Sequence, residues 1–170
     1  MAFFTRPSTA RTTPDPAQGG NAVTGDTDTG HGSTVTSQAA LGTATKSIIW
    51  TGFAAVSGVI TAIALKFDWT EDGTVIAGTG SASNEFRVQY SINGGGAWTT
   101  VFQHADVVSP TTSNSSVTIA LPQDVTQVQV RGRMTATATN DVSDSASITT
   151  SVSNIRLEIT TQDGTVIVIM

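Results

Sequence analysis

Glu85-Phe86-Arg87-Val88-Gln89-Tyr90 decides how this chain folds. Apolar and polar side chains alternate without a break, the period of two expected of a strand with one face in a core and the other in water. Phe86, Val88 and Tyr90 are assigned to the core, and Glu85, Arg87 and Gln89 to the outside. The same reading extends downstream. Val117, Ile119 and Leu121 alternate before Pro122, and Val128, Val130 and Met134 alternate with Gln129, Arg131 and Arg133. Ala146, Ile148 and Val152 mark one further strand, and Ile155, Leu157 and Ile159 mark the next.

Upstream, Ser47 to Phe53 is rich in β-branched and aromatic residues, and Val59, Ile63, Leu65, Phe67 and Trp69 share one parity. Glu71-Asp72-Gly73 supplies turn chemistry, which predicts a short return strand over Thr74 to Ala77 and then a loop from Gly78 to Ser83. Asn140 to Asp144 reads as another loop, and Asp163-Gly164 as a two-residue hairpin turn. The last stretch, Thr165-Val166-Ile167-Val168-Ile169-Met170, is apolar on both parities, so both of its faces need cover from this fold or from another chain. No segment has helical periodicity long enough to compete. About eight to ten short strands separated by turns predict an all-β chain, an antiparallel β-sandwich of jelly-roll-like form. Its expected core is Trp50, Phe53, Phe67, Trp69, Phe86, Tyr90, Trp98 and Ile119.

Residues 1–44 read differently. They are Thr, Gly, Ser, Pro and Ala with almost no large apolar side chain after Phe3 and Phe4, too little to offset the entropy of ordering them alone. The expected organisation is an extended N-terminal arm over 1–44 and a β-sandwich domain over 45–170. Within the arm, Asp26, Asp28 and His31 have metal-binding atoms, but no bidentate acid or rigid frame follows, so no metal and no cofactor are predicted.

Composition narrows the function classes. Lys and Arg total 8, only 12% of residues are charged and the net charge is −5, so there is no basic field for nucleic acid. The chain contains 0 cysteines, which removes a disulfide framework and thiolate zinc sites. No apolar run approaches the roughly 20 residues that span a bilayer, and Arg6-Pro7 cuts short the only signal-like start. A soluble, non-membrane protein is expected.

Catalytic constellations are missing. Asp68, Glu71 and Asp72 cluster near one predicted turn, but nothing fixes the separation a glycosidase pair requires. His31 in the arm and His104 in the loop expected after Phe102 are the only histidines, and neither sits in a nucleophile setting. The chain is therefore expected not to be an enzyme. Arg131 and Arg133 share a polar face and suit an anion, although paired arginines on a sheet face are more often simply solvated.

One local motif is specific. Ser91-Ile92-Asn93-Gly94-Gly95-Gly96-Ala97-Trp98 resembles the Asp-box hairpin, Ser-x-Asp-x-Gly-x-x-Trp, with Asn93 in place of the usual aspartate. The resemblance implies a structural hairpin of Ser91, Asn93, Gly95 and Trp98, placed away from any catalysis. As a whole, a cysteine-free, weakly charged sandwich with a Thr/Gly/Pro-rich arm and an apolar last strand is similar to small virion proteins of tailed bacteriophages, of the head-decoration, neck or tail-fibre kind. That resemblance implies a capsid or tail component made in the host cytoplasm and located in the virion. It also implies neighbouring virion subunits as partners and a homo-oligomer, with a trimer favoured. Assembly contacts would fall on Phe3, Phe4, Val166, Ile167, Val168 and Ile169. The alternative is a carbohydrate-binding module with a glycan as partner, stacking sugar on Trp69 or Trp98.

Overall fold

A computed structural model describes residues 10–12, 31–38, 42–139 and 144–169. Phe3, Phe4, Asp26 and Asp28 lie outside the described residues, as does most of the loop expected at Asn140 to Asp144. Ten strands follow in chain order: β1 (Ala10–Thr12), β2 (His31–Gln38), β3 (Gly42–Thr51), β4 (Ile60–Ile76), β5 (Ser81–Ser91), β6 (Thr99–Ala105), β7 (Thr111–Ile119), β8 (Gln129–Thr139), β9 (Ser145–Thr161) and β10 (Val166–Ile169). A 3-10 turn, Val125–Gln127, precedes β8 and is capped by the Asp124 carboxylate on the Thr126 N–H. No helix among the described residues is long and apolar enough to cross a membrane.

The strands form two antiparallel sheets. The front sheet runs β1-β3-β8-β5-β6 and the back sheet runs β10-β9-β4-β7. Residues 145–152 of β9 pair with β2 and residues 157–160 pair with β10, while β4 pairs along the other edge of β9 throughout. β2 and β10 therefore lie end to end along one edge. From β3 to β9 the chain changes sheet at every connection except the β5–β6 hairpin. The protein is an all-β antiparallel sandwich of jelly-roll-like order. The segment expected to be an extended arm contributes β1 against β3 and β2 against β9, and β3 begins at Gly42.

The core lies between the sheets. Phe86 and Val88 from β5, Ile63, Leu65 and Phe67 from β4, and Leu157 and Ile159 from β9 are sealed from water. Each such side chain contributes roughly 1.5–3 kcal/mol on burial. Trp50, Phe53, Phe67, Trp69, Phe86, Tyr90 and Ile119 are all buried as expected, whereas Trp98 is not in the core. Val59 and Leu121 also depart from their parity assignments, at 64% and 49% exposure. Both lie just beyond the ends of their strands, where no opposing sheet covers them.

Three local expectations are corrected. Glu71-Asp72-Gly73 makes no turn, and β4 continues through it in register with β9 to Ile76. Gly73 is present because another chain segment comes close: a Cβ there would sit 2.6 Å from the Val107 carbonyl and 2.6 Å from Asn84 Nδ2. The two strands expected over 146–159 are one strand, β9, whose buried parity switches from even to odd between Val152 and Ile155. Asn154 adopts φ +50 at that point, next to a register shift opposite Lys66 and Asp68. An inserted residue in a bulge produces this parity change, and asparagine tolerates the left-handed conformation better than most residues. Finally, the β9–β10 loop has three residues, Gln162, Asp163 and Gly164, rather than two. It is closed by the Thr161 N–H on the Thr165 carbonyl at 3.0 Å, with Gly164 at φ +79.

Candidate functional site

The β5–β6 hairpin places the first element of the site. Gly94 and Gly95 take φ +67 and +91, so the chain reverses without a Cβ penalty. The Ser91 hydroxyl accepts the Gly95 N–H at 2.9 Å and donates to Asn93 Oδ1 at 2.8 Å, and that oxygen accepts the Ala97 N–H at 3.0 Å. Ser91 and Asn93 thus satisfy the turn from inside. The Gly94 N–H donates to the Gln127 carbonyl at 2.9 Å, tying the hairpin to the 3-10 turn. Trp98 Cζ2 lies 3.6 Å from where a Gly95 Cβ would be, so the indole sits beneath the turn and remains half-buried.

Strand register brings the second element. Arg131 on β8 stands opposite Gln89 on β5, with its Cζ 4.1 Å from the Trp98 ring centroid. A guanidinium over an indole face at this distance is a cation–π contact worth about 0.5–2 kcal/mol. Arg131 Nε and Nη2 both donate to Gln89 Oε1, at 3.0 and 2.7 Å, and Gln89 Nε2 donates to Thr100 Oγ1 at 3.0 Å. Partial burial, and then the charge of Arg133, lowers the Arg131 pKa, but a guanidinium stays charged. Gln89 faces outward as its parity predicts, yet it is only 6% exposed because Arg131 and Thr100 engage it.

Around this platform the outward positions of β5 and β8 are polar. Arg87 Nη2 donates to Glu85 Oε2 at 2.7 Å; its Nε lies 2.5 Å from Oε1 but is not aligned as a hydrogen bond. Gln103 Nε2 also donates to Glu85 Oε2, at 2.6 Å. Arg133 stands directly opposite Arg87 on β5 and Ser47 on β3. Further along, hydroxyls form rungs: Thr43 with Thr137 at 3.1 Å, Thr45 with Thr135 at 3.3 Å and Ser81 with Thr139 at 2.7 Å. Three guanidiniums against one carboxylate leave a local charge of 3 − 1 = +2 on a chain of net −5.

The other sequence candidates go elsewhere. Trp69 is 7% exposed, packs on Phe86 and Phe102 and donates its indole N–H to Ser115 Oγ at 3.2 Å. It is a core residue and offers no face to a sugar. Strand parity separates the acids, with Glu71 inward and Asp68 and Asp72 outward on β4. Asp68 and Asp72 are four residues apart, ~13 Å along an extended strand, beyond the spacing of either glycosidase geometry. His104 is on β6 rather than in a loop; its Nδ1 meets Glu71 Oε1 across the open edge between the sheets, tying the two together. No group of three or more His, Cys, Asp or Glu suited to a metal is found among the described residues. On β10, Ile167 and Ile169 share the inward register with Ile159 and Leu157 of β9, and Val166 and Val168 take the opposite, half-buried face. Sequence reading identified the Arg131/Arg133 face and the Trp98 hairpin as separate features. Their meeting depends on β5–β8 register, for which no local sequence signal exists.

No protein-family model matches the chain, and no curated protein matches it. Among solved structures, it is similar to one described as "CBM4 structure and function", with TM-score 0.32 and 10% identity over 74% of this chain and 94% of that one. It is similar also to TmCBM61, solved in complex with β-1,4-galactotriose, with TM-score 0.33 and 10% identity over 87% of this chain and 86% of that one.

Proposed function

We propose that the protein is a non-catalytic carbohydrate-binding β-sandwich that engages a glycan on the outer face of its front sheet. The Trp98–Arg131–Gln89 platform is the observation that carries this reading. It joins an aromatic ring and a guanidinium outside the core, the guanidinium fixed by the buried Gln89 amide and the ring by a hairpin before any ligand arrives. Sugar recognition uses this chemistry, with apolar ring faces meeting aromatic surface and planar polar groups meeting hydroxyls. Rungs of Ser and Thr hydroxyls extend the polar surface along the same sheet. The test is a glycan array probed with the full chain and with Trp98→Ala. The expected result is binding by the parent and loss of about tenfold or more in the variant. A folded parent silent across the whole array sinks the reading.

A second reading, as a virion subunit of the head, neck or tail, is favoured by one surface. Exposed Leu121 joins Val56, Ile60 and Pro122 around a shallow recess at one end of the sandwich, and exposed Val59 is the neighbour of Ile60. An apolar patch of this kind suits contact with a neighbouring subunit. Light scattering on the purified chain tests it: a trimer or larger assembly supports a structural subunit, and a monomer at all concentrations counts against self-assembly. Removing residues 1–44 is a poor test, because β1, β2 and the start of β3 would go with them.

A further inference from the structure

We propose that the front face selects an anionic sugar, and that Arg133 is the residue that receives its carboxylate or sulfate. The inference rests on the carbohydrate reading above and names its ligand class. Three arginines occupy adjacent positions on β5 and β8, and their situations differ. Arg87 is matched by Glu85, and Arg131 is committed to Gln89 and the Trp98 ring. Arg133 is half-buried between them, faces Arg87 directly across the strands, and has no carboxylate or hydrogen-bond acceptor among the described residues.

As packing alone, that arrangement is unfavourable. Like charges directly opposite on a sheet face destabilise the pair, and a partly desolvated guanidinium without an acceptor loses water contacts and gains nothing in return. An anion placed on Arg133 removes both penalties. The guanidinium fork matches a carboxylate or sulfate with two parallel N–H···O bonds, and the flanking charges of Arg87 and Arg131 add attraction within a Debye length. Ser47 opposite Arg133, and the Thr45–Thr135 rung beside it, supply hydroxyls where the rest of an acidic sugar ring would lie. The local +2 on an otherwise acidic chain selects a ligand with isolated charges and disfavours a dense polyanion such as nucleic acid.

The test uses the full chain, and calorimetry with three probes: oligogalacturonate, its carboxyl-reduced form with the same skeleton and no charge, and a sulfated galactan oligosaccharide. At least one anionic probe is expected to bind tenfold or more tighter than the reduced one, with affinity falling as salt rises. Which anionic probe is preferred distinguishes carboxylate from sulfate. Arg133→Gln is expected to abolish the anionic preference while leaving the weaker neutral binding intact. Its melting temperature should be unchanged or higher, because the variant removes a like-charge neighbour. Arg133→Lys keeps the charge without the fork and should recover only part of the preference. Neutral and anionic probes binding alike, or a preference that survives Arg133→Gln, overturns the inference and leaves the carbohydrate reading standing. A large fall in melting temperature in Arg133→Gln overturns it too, by making Arg133 a structural residue. No binding by any probe here or on the array overturns both.

Discussion

The outer faces of the two sheets are built from the same materials and are organised in opposite ways. On the back sheet each outward Lys or Arg among the described residues has a partner: Lys66 meets Glu158 at 2.7 Å, and Arg156 donates to the Asn154 carbonyl at 3.1 Å. Asn154 in turn donates to Asp68 at 2.5 Å. The count there is Lys66 and Arg156 against Asp68, Asp72 and Glu158, 2 − 3 = −1, and the one tryptophan of β4 points inward. Among the described residues the front face holds a surplus of +2, an aromatic ring at its hairpin end, and one guanidinium left without an acceptor. Alternation produces a polar outer face on any half-buried sheet, so polarity alone does not mark a site. What distinguishes the front face is charge that the fold leaves unneutralised.

The largest expected effect falls on what both faces share. Asn84 is buried between the sheets, its amide donating to the Val107 and Ser147 carbonyls at 2.8 Å each and its oxygen accepting the Val107 N–H at 2.6 Å. Asn84→Ala strands three buried backbone groups and should cost about 3 kcal/mol or more, read as a lower urea midpoint. Both faces are then lost together. Trp98→Ala acts on the front face alone: beyond the glycan loss already given, it removes the cation–π contact, and stability should fall by about 1–2 kcal/mol in the same denaturation experiment. Lys66→Ala is the matching change on the back face. A partly exposed surface ion pair of this kind is worth about 0–1 kcal/mol, so the melting curve should move little and glycan affinity should not change.

The smallest effect concerns pH. Asp163, in the β9–β10 loop, accepts the Thr161 hydroxyl and then the Thr165 N–H, which lowers its pKa below the usual 3.8. A carboxylate whose folded pKa is depressed stabilises the fold above its unfolded pKa, and this is lost as pH falls through the folded value. Asp163→Asn should therefore flatten the acid limb of a stability–pH curve slightly below pH ~4, leaving the front face unaffected.

The strands most easily read from sequence were those with one dry face. The 85–90 alternation, the Val128–Met134 alternation and the aromatic parity of β4 match the observed burial, apart from Val59 and Leu121 beyond the strand ends and from Gln89, which neighbouring polar groups cover. Hydrophobic periodicity is a local signal, and a half-buried strand obeys it wherever it pairs. Glu71-Asp72-Gly73 misled because acidic residues and glycine also suit a strand crossed closely by other chain segments, a fact set by Asn84 and Val107. The sequence of the single strand β9 has the pattern of two strands because a bulge and a turn both interrupt parity. At the candidate site, Trp98 and Arg131 were each visible, but their contact was not, since it joins residues from different strands through register alone.

An all-β sandwich, its principal core positions and the chemistry of the 91–98 hairpin follow from local sequence, because period, turn residues and side-chain size act over a few neighbours. Tertiary structure alone decided which polar face matters. It set three arginines side by side, satisfied two of them and left Arg133 without an acceptor among the described residues, an outcome of strand order and register that no local stretch encodes.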